Sequence, residues 1–145
     1  MTISEDRLAK MLEALKEEGH RITPQRLAIL KVLAKSENHP EVEWVHRRIK
    51  EDFPTTSLAT VYKTITLLKE LGQVLELGFA DRGSRYDGNR PDPHPHLICT
   101  ECGAIVDPEF SAMEKLAQEM SKKSGFEITH HRLDFFGLCP KCRKG

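Results

Sequence analysis

The chain has 145 residues, 39% of them apolar and 30% charged, and its 22 basic and 22 acidic side chains leave a formal net charge of zero. That size suits one domain or two small ones, and no stretch approaches the ~20 consecutive apolar residues that a membrane span requires. A cut after Arg90 leaves 15 basic and 14 acidic residues before it and 7 and 8 after it, so any nucleic-acid binding has to use a local patch rather than bulk charge.

The N-terminal residues, MTISEDRLAK, show neither the apolar core nor the cleavage site of a secretory signal, and a cytoplasmic location is expected. Thr2-x-x-Glu5 reads as a capping box for a helix with Leu8, Met11, Leu12 and Leu15 on one face and Gly19 at its end. Thr23-Pro24 starts a second helix carrying Leu27, Leu30 and Leu33 inward. A third follows His39-Pro40, through Val42, Val45, Ile49 and Phe53. Ser57 caps a fourth, in which Leu58, Val61, Ile65, Leu68 and Leu71 recur at helical spacing until Gly72. Val74 to Phe79 and Ser84 to Asp87 then read as a hairpin turning at Asp81-Arg82-Gly83.

Helices followed by a β-hairpin form the winged-helix pattern, in which the last helix enters the major groove. Gly88 to Pro95 (GNRPDPHP) is a linker by composition. Beyond it, short strands are expected at Leu97 to Cys99 and Ala104 to Asp107. A helix with Phe110, Met113, Leu116, Ala117 and Met120 inward should end at Gly125, and strands follow at Phe126 to Thr129 and Arg132 to Leu138. The predicted fold class is α+β: an N-terminal winged-helix DNA-binding domain (1–87), a hinge (88–93), and a small α/β dimerisation and metal-binding domain (94–145) with a four-cysteine zinc site.

All four cysteines fall into two Cys-x-x-Cys pairs, Cys99/Cys102 and Cys139/Cys142, with 36 residues between the pairs. Four thiolates close a tetrahedron around Zn²⁺ and leave no open position, so the metal would be structural. The alternatives are a redox pair or two disulfides. Gly103 after Cys102 and Pro140 after Cys139 supply the turn chemistry of a zinc knuckle, and a reducing cytosol disfavours disulfides.

A second constellation is less regular. His94-x-His96 points two imidazoles to one side of an extended segment, with Asp107, Asp87 and His39 as further candidate ligands. Two or three nitrogens with carboxylate oxygens suit Fe²⁺ or Mn²⁺. Taken singly, His39 is equally a helix-start residue and Asp87 a turn cap. On the fourth helix, Ser57, Ala59, Thr60, Tyr62, Lys63 and Thr66 lie away from the apolar stripe. Hydroxyls and Lys63 bind phosphates, and the Tyr62 ring can pack on a thymine methyl; an ordinary polar helix face has the same pattern.

The segments RITPQRLAIL, His39-Pro40, SLATVYKTITLLKELG, SRYD, HPHLICTECGAIVD and HHRLDFFGLCPKC cover nearly the whole chain in order. Together they resemble the ferric uptake regulator (Fur) superfamily, and within it the peroxide-sensing PerR branch, which carries Asp rather than Glu where Asp87 and Asp107 stand. The resemblance implies a homodimeric repressor with zinc on Cys99, Cys102, Cys139 and Cys142. It implies a regulatory Fe²⁺ or Mn²⁺ on His39, Asp87, His94, His96 and Asp107, and an operator that is an A/T-rich inverted repeat of double-stranded DNA. It assigns DNA contacts to Tyr62 and Lys63 beside Ser57 and Thr60, and a minor-groove contact to Lys16. In the PerR branch H₂O₂ reacts at the Fe²⁺ and oxygen is added to a ligand histidine, here His39 or His94, which releases the metal and the operator. Pro93 and Pro95 stand where some Fur proteins carry further ligands, so Glu114 and His131 are not expected to form another metal site.

The expected function is therefore a metal-dependent, non-enzymatic transcriptional repressor that senses hydrogen peroxide and takes no other small-molecule substrate. An iron- or manganese-responsive repressor without peroxide sensing is the alternative. From other classes, a zinc-dependent hydrolase on His94, His96 and an aspartate lacks a His-Glu-x-x-His general base and leaves the winged helix without a purpose, and a zinc-ribbon protein adaptor would be favoured if no DNA selection enriched an inverted repeat.

Overall fold

The computed structural model describes residues 2–79, 83–92 and 94–144. Asp81 and Arg82 of the expected turn, and Pro93 beside His94, lie outside them. The chain forms two compact units, Met1–Pro91 and Asp92–Gly145.

The first unit is built from α1 (Ile3–Glu17), α2 (Pro24–Lys35), α3 (Val42–Lys50), α4 (Leu58–Glu70), β1 (Leu75–Phe79) and β2 (Gly83–Asp87). Its helix starts follow the sequence closely. Thr2 and Glu5 form the reciprocal capping box, with Thr2 N–H donating to Glu5 at 2.8 Å and Glu5 N–H to Thr2 Oγ1 at 3.2 Å. Thr23 and Ser57 cap α2 and α4 by accepting from Arg26 N–H and Thr60 N–H, both at 3.1 Å. Each such cap contributes about 1 kcal/mol.

The core draws on all four helices: Met11 and Leu15; Ile29, Leu30, Leu33 and Ala34; Val45 and Ile49; Val61, Ile65 and Leu68. A fully buried aliphatic side chain of this kind contributes roughly 1.5–3 kcal/mol. On α2 the buried arc is Ile29, Leu30, Leu33 and Ala34, with Leu27 only half-buried, because the face turned inward is centred one residue later than the three-residue spacing of leucines suggests. Leu58 on α4 is 40% exposed rather than core, as a first-turn residue beyond the packed interior. β1 and β2 pair antiparallel, from Leu75 opposite Asp87 to Phe79 opposite Gly83.

The second unit contains β3 (His96–Cys99), β4 (Ile105–Val106), α5 (Met113–Ser124), β5 (Asp134–Gly137) and α6 (Pro140–Lys144). β3 is central, antiparallel to β4 and parallel to β5, with His96 opposite Asp134 and Cys99 opposite Gly137. Phe126 to Thr129, expected as a strand, adopts no regular structure: alternation alone does not make a strand without a backbone partner. Of the apolar side chains expected to point inward from α5, Met113 and Ala117 are half-buried, whereas Leu116 is 43% and Met120 44% exposed, and Phe110 ahead of the helix 51%. Leu97, Val106, Phe135, Phe136 and Leu138 on the sheet are also exposed.

Candidate metal centres and nucleic-acid interface

The cysteine pairs converge. One ligand atom from each of Cys99, Cys102, Cys139 and Cys142 lies within 4.8 Å of every other, and Cys102 Sγ and Cys139 Sγ are 3.8 Å apart. A tetrahedral ion with metal–sulfur bonds of about 2.3 Å has sulfur–sulfur edges of about 3.8 Å, so the Cys102–Cys139 edge matches Zn²⁺ and the quartet as a whole is gathered around one ion's volume. The local folding explains the convergence. Gly103 takes φ 78°, which its neighbours would adopt only with strain, and its N–H donates to Cys99 C=O at 3.0 Å. The N–H groups of Cys102 and Cys139 point at Cys99 Sγ, at 3.5 and 3.4 Å. They pull the Cys99 thiol down to about 6, into the thiolate form that a metal requires.

In the first unit, His39 and Asp87 meet, His39 Nε2 lying 3.3 Å from Asp87 Oδ2. His39 is a helix-start residue only in sequence. Its φ is 51°, in the left-handed region that non-glycine residues avoid, and the segment is tied to β2 from outside. The Arg85 guanidinium donates to the carbonyls of His39 and of Asn38, the latter at 2.7 Å, and Tyr86 N–H donates to Pro40 C=O at 3.0 Å. Asp87 divides its carboxylate. Oδ1 accepts from Asn89 N–H at 3.0 Å and Arg90 N–H at 2.7 Å, which leaves Oδ2 facing the imidazole.

The residue after Asp87 is also held. Arg7, buried on α1, donates through Nε to Gly88 C=O at 3.0 Å and through Nη2 to Gln73 C=O at 2.9 Å. Gly88 itself lies so close to α1 and α2 that a Cβ there would stand 2.9 Å from Met11 Cε and 3.0 Å from the Leu33 carbonyl oxygen.

In the second unit, two imidazoles share one carboxylate. His94 Nε2 is 3.1 Å from Asp107 Oδ2, His96 Nε2 is 3.7 Å from Asp107 Oδ1, and the two ring centroids are 4.4 Å apart. The opposite nitrogens are engaged elsewhere. His94 Nδ1 donates to Asp92 C=O at 2.6 Å, and His96 Nδ1 faces Asp134 Oδ1 at 3.2 Å. An acceptor on Nδ1 fixes the tautomer that presents an Nε2 lone pair, the arrangement typical of metal-ligating histidines. Asp134 was not anticipated from sequence. Its contact with His96 spans 38 residues and exists because β3 and β5 pair in register.

The α4 face keeps the expected exposure. Ser57, Thr60 and Lys63 are exposed and Tyr62 is 54% exposed, while Lys16 is exposed in the last turn of α1. Ser57 and Thr60 are first of all capping groups, their hydroxyls bonded to each other at 2.9 Å.

Residues 17–136 match the Ferric uptake regulator family. The chain belongs to that family. The peroxide-responsive repressor PerR of Staphylococcus aureus is 40% identical over 142 residues, 96% of this chain and 93% of that protein. Among solved structures, Helicobacter pylori Fur, described as having three functional metal binding sites, superposes with a TM-score of 0.82 at 25% identity, covering 100% of this chain and 96% of that one. The Campylobacter jejuni peroxide stress regulator gives 0.73 at 34% identity over 90% and 98%. Among the described residues of this Fur-family chain, no helix is long and apolar enough to cross a membrane.

Proposed function

We propose that this Fur-family chain is a homodimeric, metal-dependent transcriptional repressor that responds to hydrogen peroxide in the cytoplasm. Residues 1–87 act as the winged-helix reader, 88–93 as a hinge and 94–145 as the dimerisation and metal-binding domain. Zn²⁺ is held by Cys99, Cys102, Cys139 and Cys142 as a structural ion. Fe²⁺ or Mn²⁺ is held by His39, Asp87, His94, His96 and Asp107.

The observation that carries this reading is the paired imidazoles of His94 and His96, both aimed at Asp107 and both anchored from behind. Two nitrogens and one carboxylate are a thin shell for Fe²⁺ or Mn²⁺, and His39 with Asp87 brings the set to three nitrogens and two carboxylates. Ligands drawn from both domains make metal occupancy a condition on domain arrangement. A shift from 1:99 to 99:1 in favour of the operator-binding form requires about 5.5 kcal/mol of differential affinity.

Bound Fe²⁺ would supply the one-electron chemistry that activates H₂O₂. In the net reaction a histidine ring C–H bond becomes C–OH, the ring gives up two electrons to the peroxide, and the second peroxide oxygen leaves as water. His39 and His94 are the proposed acceptors, and an oxidised ring no longer donates the same lone pair. The similarity to Staphylococcus aureus PerR and the Asp pair at positions 87 and 107 support peroxide sensing over iron or manganese sensing alone.

Dimerisation is proposed through the exposed apolar face of the second unit's sheet, where Leu97, Val106 and Phe135 stand side by side and are 43%, 55% and 54% exposed, a contiguous apolar surface of the kind that marks an interface. Operator binding with and without Mn²⁺ tests the switch, and equal affinity in both states overturns it. Mass spectrometry of Fe²⁺-loaded protein after H₂O₂ should find one added oxygen on a peptide containing His39 or His94. Unmodified histidines would leave an iron- or manganese-responsive repressor.

A further inference from the structure

Tyr62 and Lys63 are adjacent on α4 but line surface hollows of opposite character. On the Tyr62 side lie Glu41, Glu43 and Glu76. On the Lys63 side a hollow of about 470 Å³ is lined by Arg21, Thr23, Arg26, Thr60, Lys63 and Thr64, three cations and three hydroxyls. The cations come from two places in the chain, the start of α2 and the middle of α4, so the cluster is a product of folding and not of a basic run in sequence.

Its parts are held in place. Arg26 is half-buried and donates through Nη1 to Arg21 C=O at 2.7 Å, which fixes one edge of its guanidinium and leaves four N–H groups for other acceptors. Thr23 Oγ1 accepts from Arg26 N–H at 3.1 Å, and Thr64 Oγ1 donates to Thr60 C=O at 3.1 Å. A planar guanidinium with a second arginine, a lysine and hydroxyl donors matches the oxygens of a phosphodiester, which has a single delocalised negative charge and no proton to give.

We propose that this hollow is a DNA backbone phosphate site, with Arg26 as its principal donor and Arg21 and Lys63 completing it. The assignment rests on the DNA-binding reading above and extends it to two arginines outside the α4 face. Charge decides on which side of Tyr62 the strand runs: a phosphate fits among Arg21, Arg26 and Lys63 and is repelled by Glu41 and Glu43 on the other side, where Glu76 is paired with Lys69 at 3.1 Å. The site acts on affinity and register and carries no base specificity.

The test uses the full-length, zinc- and Mn²⁺-loaded protein and an inverted repeat enriched from a random duplex pool. Dissociation constants for wild type, Arg26→Gln, Arg21→Gln and the remote control Lys122→Gln are measured between about 50 and 200 mM KCl on that repeat and on a scrambled duplex. Each lost phosphate contact removes about 0.9 from the slope of log affinity against log salt. Arg26→Gln in a dimer should therefore lower the slope by about 1.8 and weaken both duplexes by the same factor, while Lys122→Gln matches wild type.

An unchanged slope in Arg26→Gln, or weakening confined to the enriched repeat, overturns the assignment. Inorganic phosphate that competes better than chloride at equal ionic strength, lost in Arg26→Gln with the slope unchanged, assigns the hollow to free phosphate and also overturns it. If wild type enriches no duplex at all, the DNA-binding reading itself has failed, an outcome separate from either of these.

Discussion

Asp134 illustrates how much of a metal centre lies one residue behind the ligands. Its carboxylate faces His96 Nδ1 at 3.2 Å and also accepts from Arg132 Nε at 2.5 Å, so a charged pair sets the ring angle of a proposed ligand. Asp134→Asn keeps the shape and removes the charge. We expect about 10- to 100-fold weaker binding of the regulatory ion, with the four-sulfur zinc retained; a Mn²⁺ titration with parallel zinc analysis checks it, and unchanged Mn²⁺ affinity would remove Asp134 from the centre. Of the proposed ligand residues, His94 and His96 are legible because alternation puts them on one side of an extended segment. Asp134 was hidden because only strand pairing brings it to His96. The setting of His39 was hidden too, since no local pattern announces a left-handed histidine held by an arginine 46 residues away.

At the level of elements, the helices of the first unit could be read almost to the residue, because caps and apolar spacing are local signals. Thr2, Thr23 and Ser57 each cap the helix they were expected to start. The sheet of the second unit was harder to read. Its central pairing is parallel and joins residues 38 apart in sequence, and Phe126 to Thr129 alternates as a strand should but has no strand assignment. The joint after β2 gives a test. Gly88 lies against α1 and α2 with no space for a Cβ, Arg7 ties it to Gln73 by donating to both carbonyls, and Asn89 Nδ2 donates to Ala34 C=O. Gly88→Ala should cost about 1–3 kcal/mol of stability by overpacking, read as a lower urea midpoint, and should displace Asp87 enough to weaken Mn²⁺ binding. A midpoint equal to wild type would show that α1 and α2 give way without strain.

Across the whole molecule, the two units differ in what holds them. The first has a continuous core fed by four helices, whereas in the second the buried apolar side chains among the described residues reduce to Ile98 and Cys99. Structural zinc in peptides contributes on the order of 10–16 kcal/mol to folding, and the second unit has little else. Chelation of the zinc should therefore abolish the unfolding transition of the second unit while that of the first persists, as calorimetry would resolve. A second unit that stays folded without zinc would contradict this. The exposed apolar face of the sheet, Leu97, Val106 and Phe135 in register, predicts a further dependence: Phe135→Glu should convert the proposed dimer to a monomer in sedimentation analysis and lose operator binding, with zinc content unchanged.

The four-residue strand β3 begins at His96 and ends at Cys99, so one short rod has a proposed sensing ligand at its tip and a zinc ligand at its base, about 10 Å apart at strand spacing. Its pairing with β5 sets both ends at once, His96 against Asp134 and Cys99 against Gly137. This imposes an order on the maturation of the chain. Until zinc has drawn the cysteines together, the rod is not anchored and the histidine at its tip has no fixed address. On the function proposed above, a cell starved of zinc would accumulate protein that holds every proposed sensing ligand in its sequence and yet answers neither iron nor peroxide.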